Sequence, residues 1–204
     1  MEISIQSEKV PVWELSNVTL PDLDVPALYN NSTEKLLPMS QKREPMDLVE
    51  GNDNHLKFQT EWLKHCDTIQ TFLKDGSAYK ECIELQPMWP NGFARFDWPR
   101  HLSCIQIMHD RDGFNMGSHI DNRTVVGVVI INLQDNPIGS GTSFHRYTDP
   151  HNVEDSWYQG PTKKGTGVFF LNNWNTWHSV NNSGGGDRLI AYNIIPLSNM
   201  FQLN

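Results

Sequence analysis

The sequence predicts a mainly β protein, a barrel or two-sheet jelly roll carried on a helical N-terminal scaffold. Two patterns predict it. After Trp98 the chain breaks into short strand-like runs divided by Gly-rich turns, and before it one stretch keeps a helical apolar period. Nothing in composition or repeats divides the 204 residues, so a single domain is expected, with residues 1–100 as scaffold and 101–196 as the β core. A chain of this length buries roughly 70% of its unfolded surface and needs no covalent staples.

In chain order, Ile3 and Ile5 alternate like a strand. The segment from Ser16 to Asn54, punctuated by Pro21, Pro26, Pro38 and Pro45, reads as mostly irregular connection with room for one short helix. From His55 to Lys74, Phe58, Trp62, Cys66, Ile69 and Leu73 recur at steps of 4, 4, 3 and 4, one helical face that Asn54 would cap and Gly76 would end. The strand runs are Leu102–Met108, Val125–Leu133, Thr142–Tyr147, Gly167–Leu171, Thr176–Val180 and Asp187–Ile195. Asp112-Gly113, Gly139-Ser140-Gly141, Lys164-Gly165 and Gly184-Gly185-Gly186 mark turns between them. Six or more strands at this spacing suit a closed or two-sheet architecture.

Composition narrows the partners. Acidic residues outnumber basic ones by 24 to 16, a net charge of −8, and the nearest basic clusters are Lys42-Arg43 and Lys163-Lys164. Such a surface repels a phosphate backbone, so no nucleic-acid partner is expected. The longest apolar run, Val125 to Ile131, is far too short to span a bilayer, which predicts no membrane partner. Glu2 and Glu8 stand where a secretory leader needs a basic start and an apolar stretch, so a cytoplasmic protein is expected. Cys66, Cys82 and Cys104 are an odd set without a Cys-x-x-Cys pair and read as reduced, buried thiols.

The chemistry begins at His119-Ile120-Asp121, because residues two apart on a strand share a face and can grip one metal ion. The pattern alone is weak: with 8 His, about one His-x-Asp pair arises by chance in every two chains of this composition. A second pair, His65-Cys66-Asp67, falls on the helix, where the two side chains point about 200° apart and cannot meet on one ion. A third ligand is offered by His178, although a lone histidine beside two Trp residues is ordinarily a structural, hydrogen-bonded one. Of the other histidines, His55, His65, His101, His145 and His151 lie in the scaffold half, beside Arg146 or in a turn. Arg188 follows His178 by ten residues across Asn181-Asn182-Ser183-Gly184-Gly185-Gly186, a spacing that suggests a hairpin. Strand alternation puts Arg188, Ile190, Tyr192 and Ile194 on one face, where a guanidinium among apolar neighbours wants a carboxylate, whether an internal Asp or Glu or a ligand's.

His119-x-Asp121, His178 and Arg188 in this order and spacing resemble the iron(II)/2-oxoglutarate-dependent dioxygenase superfamily, nearest its prolyl-hydroxylase-like branch, over about Leu102 to Pro196. Ile105-Gln106-Ile107, Gly113 to Ser118, Gly141-Thr142-Ser143-Phe144 and Gly165 to Phe170 support the likeness. The resemblance implies a double-stranded β-helix with Fe(II) held by His119, Asp121 and His178, and with Arg188 on the far carboxylate of 2-oxoglutarate. It implies use of O2, release of succinate and CO2, and hydroxylation of a C–H bond in a small molecule or a protein side chain. Two positions depart from the branch. Where a tyrosine usually precedes the first iron ligand, the chain reads Met108-His109-Asp110, and Arg188 stands where lysine is usual. Gln106, Thr142 and Tyr192 are further candidates to line the pocket. The segment Tyr147 to Lys164, with His151, Trp157 and Tyr158, reads either as a lid or as a packed surface loop.

Two other readings stay open at this level. Two His and a carboxylate also suit Zn(II) with an open water position, as in a hydrolase or isomerase on a cupin-like barrel, but hydrolysis gives Arg188 no task. A non-catalytic jelly-roll binding module would leave the histidines incidental. Sequence leaves the oligomeric state and the substrate undetermined.

Overall fold

In the computed structural model, residues 1–6, 10–30, 42–75, 105–121, 125–145, 156–172 and 176–196 are described. The strands are β1 (Glu2–Ile5), β2 (Val12–Ser16), β3 (Tyr29–Asn30), β4 (Arg43–Asp47), β5 (Ile105–Asp110), β6 (Phe114–His119), β7 (Val125–Asn132), β8 (Ser143–His145), β9 (Ser156–Gln159), β10 (Gly167–Leu171), β11 (Trp177–Asn182) and β12 (Arg188–Pro196). One helix, α1 (Asp53–Asp75), and a 3-10 turn, Val25–Ala27, complete the described elements. Antiparallel pairing builds an eight-stranded sheet, β1-β2-β10-β7-β12-β5-β4-β3, and a four-stranded sheet, β6-β11-β8-β9. The mainly β, jelly-roll expectation is met.

The large sheet is buried on both faces, which is why its strands are rich in Val, Ile and Phe. Along β10, Phe169 and Leu171 join a core shared with α1, whereas Val168 and Phe170 join a second core that includes Phe144 of the small sheet. β12 divides the same way: Leu189, Ala191 and Ile195 face α1, and Ile190, Tyr192 and Ile194 face the small sheet. Phe58, Trp62, Cys66 and Ile69 are the helix residues that fill the first core, each at most 3% exposed. Burying each stabilises by about 1.5–3 kcal/mol relative to leaving it in water.

The helix begins two residues earlier than the sequence suggests. Asn52, not Asn54, is its cap: Asn52 Oδ1 accepts from the backbone N–H of Asn54 (3.0 Å) and His55 (3.2 Å). Asn54 instead donates its side-chain amide to the carbonyl of Asp22. Gly76, Cys82, Cys104, His101 and His151 lie outside the described residues. Cys66 is buried, and burial pushes its thiol well above the ordinary range, so it is the inert thiol expected.

Three further expectations change. The stretch Ser16 to Asn54, expected as mostly irregular connection, supplies two strands of the large sheet among its described residues, β3 and β4. β4 carries Pro45 and no apolar alternation, and it becomes a strand by pairing with β5 in the register Arg43↔Asp110 to Met46↔Ile107. The link from β11 to β12 is not a hairpin: the two strands belong to different sheets, and the chain crosses between them through Gly185 at φ +83°. Sheets packed face to face stand about 10 Å apart, a gap that a two-residue turn does not bridge but this glycine-rich link does. Within Tyr147 to Lys164, Ser156–Gln159 is neither lid nor loop but β9, paired to β8. No described helix is long and apolar enough to cross a membrane.

Candidate metal centre

The site forms at one end of the small sheet. In the β6–β11 register, His178 stands directly opposite His119, but Val180 stands opposite Met116, so β6 spends three residues where β11 spends two. This bulge reverses the side-chain parity of β6. Phe114 is buried at one end, and beyond the bulge His119 turns to the interior that His178 and Val180 occupy. The two rings lie 4.3 Å apart, centroid to centroid. Asp121 follows two residues later, just past the strand end.

Each imidazole is fixed by its own backbone. His119 Nδ1 donates to the carbonyl of Gly117 and His178 Nδ1 to that of Thr176, both at 2.9 Å. Donation through Nδ1 leaves each Nε2 free to act as a ligand, the usual arrangement behind a metal-binding histidine. Nε2 of His119 lies 4.0 Å from Asp121 Oδ1, and Nε2 of His178 lies 3.8 Å from Oδ2. These gaps are too long for hydrogen bonds, and the ligand atoms of all three residues lie within 4.8 Å of one another.

Electrostatics sharpen the point. Burial, then the neighbouring His119, drives the His178 pKa down to about 3, so this ring is neutral at pH 7 and presents a lone pair at Nε2. Phe170 and Phe144, both fully buried, stand 4.7 and 6.1 Å from it and exclude water. Burial also raises the Asp121 carboxyl, with His119 acting the other way. Asp121 Oδ2 is buried and has no hydrogen-bond partner. Acceptor atoms thus face one another with no donor between them, an unfavourable arrangement that a divalent cation would relieve. The donor set of two imidazoles and one carboxylate fits non-haem iron. Among the described residues it is the one such group of three or more side chains.

No family model matches the chain, and no curated protein matches it in sequence. Solved structures do match. A prolyl-4-hydroxylase from Pseudomonas putida aligns over 92% of this chain and 92% of its own, with a TM-score of 0.53 and 11% identity. The chain has the prolyl-hydroxylase fold. A prolyl hydroxylase from Trichoplax adhaerens, in complex with a hypoxia inducible factor peptide fragment, covers 83% of this chain and 71% of its own at a TM-score of 0.49 and 11% identity. A 2OG-Fe(II) oxygenase family protein from Burkholderia pseudomallei is 19% identical over 45% of this chain, with a TM-score of 0.36. This chain spans 42% of that protein's length.

Within the prolyl-hydroxylase fold, Arg188 is 1% exposed at the start of β12, on the face expected for it. Its Nη1 donates to Asp110 Oδ2 at 2.8 Å, so the internal carboxylate is real. Burial lowers its pKa and Asp110 raises it, but guanidinium stays charged. Tyr192, four residues along β12, is paired with Gln106 on β5, and burial, then Asp121, raises its phenol. Thr142 is buried at the edge of β8, with its hydroxyl unpartnered. His145 is no ligand in this group: its Nε2 bonds Ser179 Oγ at 2.7 Å, behind His178.

Sequence reasoning missed Asp110 and Arg43. Arg43 Nε and Nη2 grip Asp110 Oδ1 and Oδ2 at 2.5 and 2.8 Å. The visible signal was an aspartate ending a strand, but its partners lie 67 and 78 residues away.

Proposed function

We propose that this protein is an Fe(II)/2-oxoglutarate-dependent oxygenase that hydroxylates a C–H bond of a small molecule or a protein side chain. One observation carries the proposal: on a prolyl-hydroxylase fold, His119, Asp121 and His178 aim unsatisfied ligand atoms at one point, each imidazole already oriented by its own carbonyl bond. Bound there, iron would supply the oxidation in which 2-oxoglutarate, O2 and a C–H bond become succinate, CO2 and a hydroxyl group. His119, Asp121 and His178 would hold the iron and leave it open to a chelating 2-oxo acid and O2.

The residues divide the remaining work. Phe144 and Phe170 keep His178 dry and neutral, the form in which it can be a ligand. Thr176 and Gly117 fix the tautomers by accepting the Nδ1 protons. Arg188, from the facing sheet, supplies the guanidinium for the far carboxylate of 2-oxoglutarate, its buried Nε having no protein partner.

Anaerobic titration of the protein with Fe(II) and then 2-oxoglutarate tests the reading. A visible charge-transfer band that needs both additions is expected. Stoichiometric iron binding with no response to 2-oxoglutarate, or Zn(II)-dependent hydrolase activity in its place, would overturn it.

A further inference from the structure

Arg43 of β4, Asp110 of β5 and Arg188 of β12 stand directly opposite one another across three adjacent strands. Asp110 is completely buried, and three guanidinium nitrogens take its two oxygens. The division is unequal. Arg43 makes the two-pronged bond, whereas Arg188 gives one nitrogen and keeps Nε buried without a partner. Arg43 is also held from the other sheet, its guanidinium 4.3 Å above the centre of the Phe114 ring. Two guanidinium groups around one carboxylate leave one positive charge uncompensated, and a buried unpaired charge costs several kcal/mol. The row is therefore short of one anion.

We propose, resting on the oxygenase reading above, that Arg43 is a positioning residue for the cosubstrate: it neutralises Asp110, which steadies Arg188, and so keeps the charge of Arg188 available to the far carboxylate of 2-oxoglutarate. Asp110 carries out a task that needs this correction. Its single bond to Nη1 fixes where the Arg188 guanidinium points, but without Arg43 the same carboxylate would cancel Arg188 and repel an incoming anion. The pair Asp110 and Arg43 thus acts as a neutral clamp on Arg188.

The test is binding, measured by anaerobic calorimetry on the full chain loaded with Fe(II), for 2-oxoglutarate and for 2-oxopentanoate, which has the same carbon chain without the far carboxylate. Arg43→Met is expected to weaken 2-oxoglutarate about 10- to 100-fold, the effect of one unit charge roughly 6–12 Å away at an effective dielectric of about 20. Binding of 2-oxopentanoate and of Fe(II) should stay within about twofold, as for sites that do not couple. Adding Asp110→Asn to Arg43→Met restores the single net positive charge, and 2-oxoglutarate affinity should return to within about threefold of wild type. A merely structural Arg43 predicts no such rescue.

Unchanged 2-oxoglutarate affinity in Arg43→Met, or a loss that Asp110→Asn fails to restore, overturns the proposal. Should Arg43→Met alone not fold, the double variant decides: affinity near wild type supports charge balancing, and a tenfold or greater loss refutes it. Wild-type protein that binds iron but does not prefer 2-oxoglutarate over 2-oxopentanoate fails the oxygenase reading itself, and this proposal with it.

Discussion

Replacing Asp121 by Asn should stabilise the metal-free protein while abolishing the benefit of metal. In the wild type, Asp121 Oδ2 is buried without a partner, 3.8 Å from the lone pair at His178 Nε2. A buried acceptor left unsatisfied costs about 1–3 kcal/mol. The amide of Asn is uncharged, nearly the same shape, and can donate to that Nε2. The expected gain is therefore about 1–3 kcal/mol, or roughly 3–9 °C in Tm at about 3 °C per kcal/mol for a chain of this size. With metal the order should reverse. A divalent ion at about 100 times its Kd adds about 2.7 kcal/mol to a protein that binds it only when folded, and the variant has lost the one anionic ligand. Thermal melts with chelator, then with excess Mn(II), measure both. If the Asp121→Asn variant melts below wild type in chelator, or if both proteins gain equally from Mn(II), Asp121 is a structural residue and the acceptor-cluster argument fails.

Other expectations are simpler. His178→Ala should reduce Fe(II) affinity by more than the 10- to 100-fold typical of losing an outer-shell partner, read by competition with a chelating dye; unchanged affinity would remove His178 from the ligand set. Phe169→Ala should cost about 3–5 kcal/mol in urea unfolding, because the ring is fully buried and stacked 5.1 Å from Trp13; a cost below about 1 kcal/mol would contradict the described packing. Single- and double-stranded oligonucleotides should not bind at physiological salt, given the net charge of −8. Micromolar affinity with a steep negative salt slope would reverse that assignment.

The candidate ligand set was legible in the sequence because its signals are local. His119 and Asp121 are two residues apart, the decoy at His65 fails on helix geometry, and α1 buries Phe58, Trp62, Cys66 and Ile69 as a plain 4-4-3 series. β10 was legible to the residue, since a fully buried strand is a continuous apolar run bounded by turns. β4 was not, because Arg-Glu-Pro-Met-Asp has neither alternation nor β-branched residues and owes its extension to β5. The bulge in β6 was equally hidden. One extra residue leaves no mark on composition, yet it decides which way His119 points. The supposed hairpin to Arg188 failed for a related reason: loop composition reports that the chain turns, not which sheet it turns into.

The parity of β12 links these points. Leu189, Ala191 and Ile195 join the core against α1, while Arg188, Ile190, Tyr192 and Ile194 face the small sheet. One face of the strand therefore fixes the register that the other face uses. A register slip of one residue against β5 and β7 would drive Arg188 into the Trp62 core and bring Leu189 opposite Asp110, leaving a buried carboxylate with one cation fewer. That penalty, several kcal/mol for each buried charge, is larger than any single apolar contact in the row. The polar row Arg43-Asp110-Arg188 thus sets the register of the large sheet, and the same register brings Tyr192 near Asp121.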